Sequence, residues 1–202
     1  GILYKKGKST FERTHVDLAE KIAQSAAIAD VQKYIHMSAL GVDKGISKYA
    51  KSKLQGEEAV KKKFPSATIL RPSVVFGAGD NFFNMFAKLS TMFPVLPLIG
   101  GGQTKFQPVY VHDIAESVHK IIIQKSNQYE GNTYELGGPE VITFKQVYER
   151  IESATNRDIK LISIPFPIAK IKGVVLGMAP KPLLTMDQVK SLMTDNVVQE
   201  GA

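Results

Sequence analysis

A strand–helix–strand pattern in residues 31–77 decides the fold class: VQKYIHMSALGVDKGISKYAKSKLQGEEAVKKKFPSATILRPSVVFG. Residues 31–38 have the apolar, β-branched composition of a buried strand, and ATILRPSVVFG (67–77) forms a second apolar run. Between them, residues 47–63 are rich in helix formers, and Pro65 stops the helix. Two apolar strands joined by one helix predict a parallel β-α-β unit.

Helix and strand patterns continue on both sides of this unit. Residues 10–30 predict a helix whose inward face includes Ala19, Ile22 and Ala23, because these positions recur at helical spacing. Residues 108–111 predict a short strand that leads directly into a helix. This alternation is typical of α/β proteins.

We expect three strands, near 31–38, 68–75 and 108–111, to belong to one parallel sheet. The helices at 10–29 and 47–63 should pack on that sheet, since both present an apolar face. The predicted fold class is therefore α/β. With 202 residues, 44% of them hydrophobic, the chain is long enough to bury a core.

Charge and composition argue against several function classes. The net charge is +7, but the lysines are scattered in short groups with few aromatic residues among them, so we expect no nucleic-acid partner. The chain has no cysteine, and its four histidines show no metal-ligand spacing, which argues against a metal site. No apolar run approaches the roughly 20 residues that cross a bilayer.

The stretch IAKIKGVVLGMAPKPLL (168–184) allows two interpretations. Lysines flank its apolar turns, which suits a helix on a membrane surface or in the groove of a partner protein. A helix in the protein core explains the same pattern equally well. The sequence therefore predicts at most peripheral contact with a membrane.

Three residues in the central pattern suit proton transfer at an alcohol or ketone. Tyr49 and Lys53 lie four residues apart in a predicted helix and share one face, where the lysine ammonium should lower the pKa of the phenol. Ser38 lies at a strand end, where parallel sheets bind ligands. A half-exposed tyrosine, a solvated lysine and a hydroxyl bonded to the backbone would explain the same residues.

Several segments resemble the extended, atypical short-chain dehydrogenase/reductase superfamily, which includes NAD-dependent epimerases and dehydratases. The similar segments are SALGV, SKYAKSKLQGEEAV, ATILRPSVVFG, PVYVHDIAESV and YELGGPE. The closing LTMDQVKSLMTDNVV (184–198) is most similar to the NAD(P)H-binding accessory subunits of respiratory complex I and their bacterial relatives. The resemblance covers nearly the whole chain.

The resemblance implies roles for particular residues. Tyr49 and Lys53 match the catalytic pair of the superfamily, in which the lysine also hydrogen-bonds the nicotinamide ribose. Ser38 matches the catalytic serine that holds the substrate. The implied cofactor is NADP or NAD.

The turn after the second predicted strand carries further implied cofactor contacts. Pro72, Ser73 and Val74 match a turn that lies beside the nicotinamide in the superfamily. Arg71 matches a structural anchor. Together with Tyr49 and Lys53, the turn completes the implied cofactor-binding set.

One expected feature is missing from the sequence. A dinucleotide-binding fold opens with a strand, a Gly-x-Gly-x-x-Gly turn and a helix whose N-terminus binds the pyrophosphate. FGAGD (76–80) lacks the third glycine, and IGGGQ (99–103) comes too late in the chain. The resemblance therefore predicts a fragment that lacks roughly the first third of a typical domain.

The expected domain organisation follows from this comparison. Residues 1–125 should be the C-terminal part of a Rossmann-like NAD(P)-binding domain with flanking helices, including part of the substrate side at 77–107. Residues 126–202 should form a small C-terminal α/β region and tail. The substrate side as a whole should be a small α+β region.

The resemblance leaves two functions open. One is an accessory protein that holds NAD(P)H as a structural ligand and docks on respiratory complex I. The other is an active NAD(P)-dependent oxidoreductase or epimerase that uses Tyr49 as proton donor and acceptor. Expected partners are a dinucleotide and either complex I subunits or a second copy of the chain. The expected location is cytoplasmic, or peripheral on the inner face of the bacterial inner membrane or the matrix side in mitochondria.

Overall fold

The structure is a computed structural model that describes residues 2–4, 7–169, 171 and 185–199. The strands are β1 (Ile35–Met37), β2 (Thr68–Pro72), β3 (Val75–Phe76), β4 (Val95–Ile99), β5 (Lys105–Phe106), β6 (Val109–Tyr110), β7 (Thr133–Leu136), β8 (Ile142–Thr143) and β9 (Lys160–Ile164). The helices are α1 (Leu18–Ile28), α2 (Lys48–Lys63), α3 (Phe83–Met92), α4 (Val111–Ile123), α5 (Phe144–Thr155) and α6 (Met186–Ser191). A π-helical turn (Glu12–Asp17) precedes α1.

The chain divides into two compact units, and both are discontinuous in sequence. The first unit comprises residues 1–72, 112–136 and 198–202, and the second comprises residues 73–111 and 137–197.

A parallel three-stranded sheet forms the centre of the first unit. β2 lies in the middle, with β1 on one side and β7 on the other. Ile69 of β2 pairs with His36 of β1, and Leu70 pairs with Tyr134 of β7. These strands confirm the predicted parallel β-α-β unit, because β1 and β2 are joined by α2.

Both predicted helices pack on this sheet. α2 begins where the Ser47 hydroxyl accepts the N–H of Ala50 at 3.1 Å, and it ends before Pro65, as the sequence predicts. Ala23 of α1, Val60 of α2 and Ile69 of β2 are fully buried in one hydrophobic cluster. The α/β class is therefore confirmed.

Two details of the predicted packing are wrong. The segment 108–111 does not join the sheet of β1 and β2, since β6 pairs with β3 and the third strand is β7. Parallel pairing connects distant segments, and two short strands of similar composition cannot be told apart by local pattern. Ile22 is 48% exposed, because α1 packs through its small residues Ala19 and Ala23.

Three strand pairs form the second unit. β3 pairs with β6 and β4 with β9 in parallel, whereas β5 and β8 are antiparallel. Leu96, Phe144 and Tyr148 belong to its main hydrophobic cluster. Helix α5 starts in a capping box between Thr143 and Gln146.

The stretch 168–184 lies largely outside the described residues, because the description omits 170 and 172–184. Its two interpretations stay predictions. Within the described ranges, no helix combines the length and apolar character that crossing a membrane requires.

Candidate functional site

The three residues predicted to be catalytic lie in the first unit. Ser38 directly follows β1, and its backbone N–H continues the hydrogen-bond ladder with β2. The Ser47 cap starts α2 so that Tyr49 lies in its first turn and Lys53 one turn later. Lys53 Nζ donates to Met37 O at 2.7 Å, which ties the helix to the residue beside Ser38.

Protein atoms enclose the Ser38 hydroxyl. The residue is 6% exposed, and its Oγ has no hydrogen-bond partner among the residues that the structure describes. Leaving a buried hydroxyl without a partner costs about 1–3 kcal/mol. Such atoms call for an explanation, and one explanation is a bound ligand or water. Ser38 is therefore a candidate ligand contact whose oxygen is closed to solvent in this structure.

Aromatic side chains surround the Tyr49 ring. Phe11 and His15 pack edge-on against it, with ring centroids 6.4 and 5.4 Å away. Burial raises the pKa of the Tyr49 phenol. The predicted lowering of this pKa by Lys53 is therefore wrong, because burial disfavours the charged phenolate.

Lys53 is a buried cation, with 8% of the residue exposed. Burial lowers the pKa of its ammonium, and the neighbouring Glu57 opposes this effect. An ammonium has three N–H donors, and the Met37 carbonyl accepts from one of them. Lys53 can therefore hold a further oxygen atom, such as a ribose hydroxyl.

His15 belongs to this site, although the sequence analysis assigns it no role. Its Nε2 accepts the N–H of Ile2 at 3.0 Å, so the proton of the neutral ring is on Nδ1. Nδ1 lies 2.9 Å from Ser52 Oγ and donates to it. Ser52 Oγ donates in turn to Tyr49 O at 2.8 Å. His15 is thus linked to the helix that carries Tyr49 and Lys53.

The π-helical turn Glu12–Asp17 places His15 at this position. Such turns are rare and occur frequently at functional sites. Residues 10–30 have an ordinary α-helical pattern, so nothing in the sequence predicts the wider turn. The contact between His15 and Tyr49 therefore could not be found from spacing.

Gly56→Ala is expected to destabilise the protein by about 1–3 kcal/mol, although alanine favours helices. A Cβ at position 56 would lie 2.1 Å from the His15 carbonyl oxygen, so α2 would have to move away from the π-helical turn. Urea unfolding followed by circular dichroism measures the change. A gain of about 1 kcal/mol, which helix propensity alone predicts, would contradict the close contact.

A buried charge network lies next to Lys53 along α2. Arg71 donates two hydrogen bonds to Glu57, from Nε at 3.0 Å and from Nη2 at 2.8 Å. Its Nη1 also lies 3.4 Å from Asp43 and 4.0 Å from Glu135. These contacts fix Arg71 in the structure, which agrees with the anchoring role that the resemblance implies.

Two imidazoles in the site are held neutral. Burial, with a further contribution from the charge of Lys53, lowers the pKa of His15 to about 4 and that of His36 to about 4. Glu57 opposes this effect at His36. His36 Nε2 is buried and has no hydrogen-bond partner within the described part of the chain.

The implied cofactor-binding turn is divided between the two units. Pro72 ends β2 in the first unit, and its carbonyl accepts the N–H of Leu40 at 2.9 Å. Ser73 and Val74 belong to the second unit, where both donate hydrogen bonds to the side chain of Asn196. Asn196 lies in the closing motif 184–198, but nothing in the sequence points to these contacts.

Metal coordination has no evident place in this arrangement. Within the ranges that the structure describes, no three His, Cys, Asp or Glu side chains are grouped so that they could hold a metal ion. The chemistry of the site rests on one ammonium, one phenol and one enclosed hydroxyl.

Comparison with known proteins identifies related sequences. Residues 41–169 match the protein family described as the RmlD substrate binding domain. Over 98% of the chain, the sequence is 34% identical to a protein from Arabidopsis thaliana named NADH dehydrogenase [ubiquinone] 1 alpha subcomplex subunit 9, mitochondrial, and the match covers 52% of that protein. The chain thus spans about half the length of the curated relatives that it matches first.

Solved structures share the fold at low sequence identity. An NADPH-dependent quinone oxidoreductase from Escherichia coli, complexed with NADPH, has a TM-score of 0.72 at 16% identity, covering 93% of this chain and 64% of that one. A UDP-glucuronic acid 4-epimerase from Bacillus cereus, in complex with UDP-glucuronic acid and NAD, has a TM-score of 0.68 at 18% identity, covering 98% and 68%. These neighbours confirm the predicted Rossmann-like α/β fold.

Proposed function

Because the chain belongs to the RmlD substrate-binding domain family, we propose that it is part of an NAD(P)H-binding accessory protein of respiratory complex I. The observation that carries this proposal is the similarity, over 98% of the chain, to a protein named as an NADH dehydrogenase subunit. The dinucleotide, either NADP(H) or NAD(H), is a structural ligand in this role.

The geometry of the first unit supports a binding role. Lys53 offers a buried ammonium with N–H donors beyond the one bonded to Met37 O. The Ser38 oxygen is enclosed, whereas a catalytic hydroxyl must be reached by its substrate. The raised pKa of Tyr49 keeps the phenol protonated at neutral pH, which disfavours its use as a base.

The residues fit one end of a dinucleotide. Lys53 would hold the nicotinamide ribose, and Ser38 would lie near the nicotinamide end. The pyrophosphate normally binds at a glycine turn before a helix, and the 202 residues contain no Gly-x-Gly-x-x-Gly stretch.

Partners and location belong to the same proposal. The proposed partners are complex I subunits, because the Arabidopsis thaliana relative is named as a subunit of an NADH dehydrogenase in mitochondria. The proposed location is peripheral, on the inner face of the bacterial inner membrane or on the matrix side in mitochondria.

A second candidate function is an active NAD(P)-dependent oxidoreductase or epimerase. The observation that favours it is the placement of Ser38, Tyr49 and Lys53 in one unit, with Lys53 bonded beside Ser38. In this function Tyr49 donates or accepts the proton, and a bound nicotinamide supplies hydride transfer. The two candidates make different predictions for Tyr49.

Lys53→Met in the full-length protein is expected to weaken NADPH binding by about 10–100-fold. The change removes charge-assisted hydrogen bonds worth about 1.5–3 kcal/mol each, while methionine keeps the packing of the side-chain stem. Fluorescence titration with NADPH gives the dissociation constant. Lys51→Met, on an exposed position of the same helix, is the matched control and should bind like the unmodified protein.

Tyr49→Phe separates the two candidate functions. It removes only a hydroxyl, so an accessory protein should keep its nucleotide and its assembly into the respiratory complex. An active enzyme should lose about 10²–10⁴-fold in turnover, as expected for a lost general acid. A Tyr49-dependent reductase activity that accounts for the cellular role would overturn the accessory assignment. If Lys53→Met leaves the dissociation constant for NADPH unchanged, Lys53 is not part of the nucleotide site.

A further inference from the structure

The segment 185–197 is anchored in the second unit. α6 starts in a capping box between Thr185 and Gln188. Val189 is fully buried in a cluster with Ile99 and Ala169. These contacts hold the segment through its apolar face.

Asp195 and Asn196 continue this attachment through hydrogen bonds with β5. The N–H of Lys105 donates to Asp195 Oδ1 at 2.8 Å, and the N–H of Asn196 donates to Lys105 O at 2.8 Å. The N–H of Gln107 donates to Asn196 O at 3.0 Å. Asn196 thus pairs in parallel with Phe106 as an isolated bridge beside β5.

The Asn196 side chain reaches the turn that follows β2. Its Oδ1 accepts the hydroxyl of Ser73 at 2.6 Å and the backbone N–H of Val74 at 3.2 Å. The amide of Val74 can only donate, so the oxygen of the Asn196 side chain faces the turn. Ser73 is 5% exposed, so these hydrogen bonds are sheltered from water.

We propose that Asn196 is a positioning residue, which fixes the Ser73–Val74 turn and thereby couples docking of the 185–197 segment to nucleotide binding. The proposal rests on the proposed function and on the contact with the nicotinamide that the resemblance implies for Ser73 and Val74. A binding surface held in one conformation binds more tightly than one that must be ordered on binding. The coupling is reciprocal, so a nucleotide bound at the turn also stabilises the attachment of the segment.

Three variants of the full-length protein test the proposal. Asn196→Ala removes the side-chain oxygen that accepts from Ser73 and Val74, leaves Ser73 only the backbone carbonyl of residue 196 at 3.2 Å, and should weaken NADPH binding by about tenfold. Asn196→Asp keeps an oxygen at the same position and should restore most of the affinity. Asn81→Ala, at an exposed position of the same unit, makes the same substitution away from the turn and should leave the affinity unchanged.

Hydrogen exchange separates positioning from general stability. In Asn196→Ala, exchange at the Val74 amide should become faster, while amides in the core strand β4 should keep their protection. In the unmodified protein, NADPH should slow exchange of the amides in 185–197, and Asn196→Ala should abolish this effect. Fluorescence titration and exchange are measured on the same samples.

The outcomes separate a failure of the proposed function from a failure of the positioning role of Asn196. If the unmodified protein binds no NADPH, the proposed function fails, while faster exchange at Val74 would still support the contact. If Asn196→Ala binds NADPH with unchanged affinity, or if exchange at Val74 does not change, the positioning role is overturned. Equal loss of protection throughout β4 would also overturn it, because Asn196 would then act on overall stability.

Discussion

Replacing Arg71 with alanine is expected to lower the free energy of unfolding by about 3–5 kcal/mol. The change would leave Glu57 and Glu135, whose side chains are 4% and 6% exposed, without the cation that faces them. Glu57 keeps the nearby Lys53 ammonium and Glu135 keeps the N–H of Gln199 at 3.1 Å, but both carboxylates lose the guanidinium that compensates most of their burial. Urea unfolding followed by circular dichroism measures the loss.

An exposed ion pair elsewhere in the chain provides the control. Arg150 pairs with Glu140, and both side chains are more than half exposed. Arg150→Ala should therefore change the free energy of unfolding by about 1 kcal/mol or less. Equal effects of the two substitutions would show that the Arg71 network contributes no more than a surface pair.

Acidification from pH 7 to pH 4 is expected to remove about 3 kcal/mol of stability for each of His15 and His36. Their pKa values are lowered from 6.5 to about 4, mainly by burial. The unfolded imidazoles therefore bind protons first as the pH falls, and the folded state loses stability. The loss begins near pH 6.5 and is complete below about pH 4, where both states are protonated.

Unfolding measurements at several pH values test this expectation. Between about pH 4 and pH 6.5, the free energy of unfolding should change by about 1.4 kcal/mol per pH unit for each histidine. His15→Gln and His36→Gln should each flatten the pH dependence. Asn81→Ala, at an exposed position, removes no titratable group and is the control that should keep the slope of the unmodified protein. If His15→Gln and His36→Gln leave the pH dependence unchanged, the two imidazoles are not held neutral by burial in the folded protein.

Local patterns predict the part of the fold that local interactions build. The helix formers at 47–63, the stop at Pro65 and the apolar strand at 68–72 are readable in sequence because each depends on residues a few positions away. The Tyr49 and Lys53 pair is found for the same reason, since helix spacing puts both on one face.

Contacts between distant segments account for most of what the sequence does not reveal. β7 completes the sheet of β1 and β2, but its pattern resembles that of β6, which pairs elsewhere. Asn196 and Ser73 are 123 positions apart, and no spacing rule connects them. His15 depends in addition on the π-helical turn.

The direction of a pKa shift is harder to predict from sequence than the position of the residue that carries it. The sequence shows that Lys53 is near Tyr49 but not how deeply the phenol is buried, so the expected direction of its pKa was wrong. The catalytic and cofactor-binding roles of these residues stay predictions. The predicted boundary between the Rossmann-like part (residues 1–125) and the C-terminal region (residues 126–202) also stays a prediction.

The central position of β2 has a consequence for synthesis on the ribosome. Its first neighbour, β1, is made before it, but its second neighbour, β7, emerges about 60 residues later. At about 5–20 residues per second, one edge of β2 waits about 3–12 s for its partner strand. An unpaired strand edge is a template for wrong pairing. One edge of β2 therefore stays open to wrong pairing while residues 73–132 are being translated.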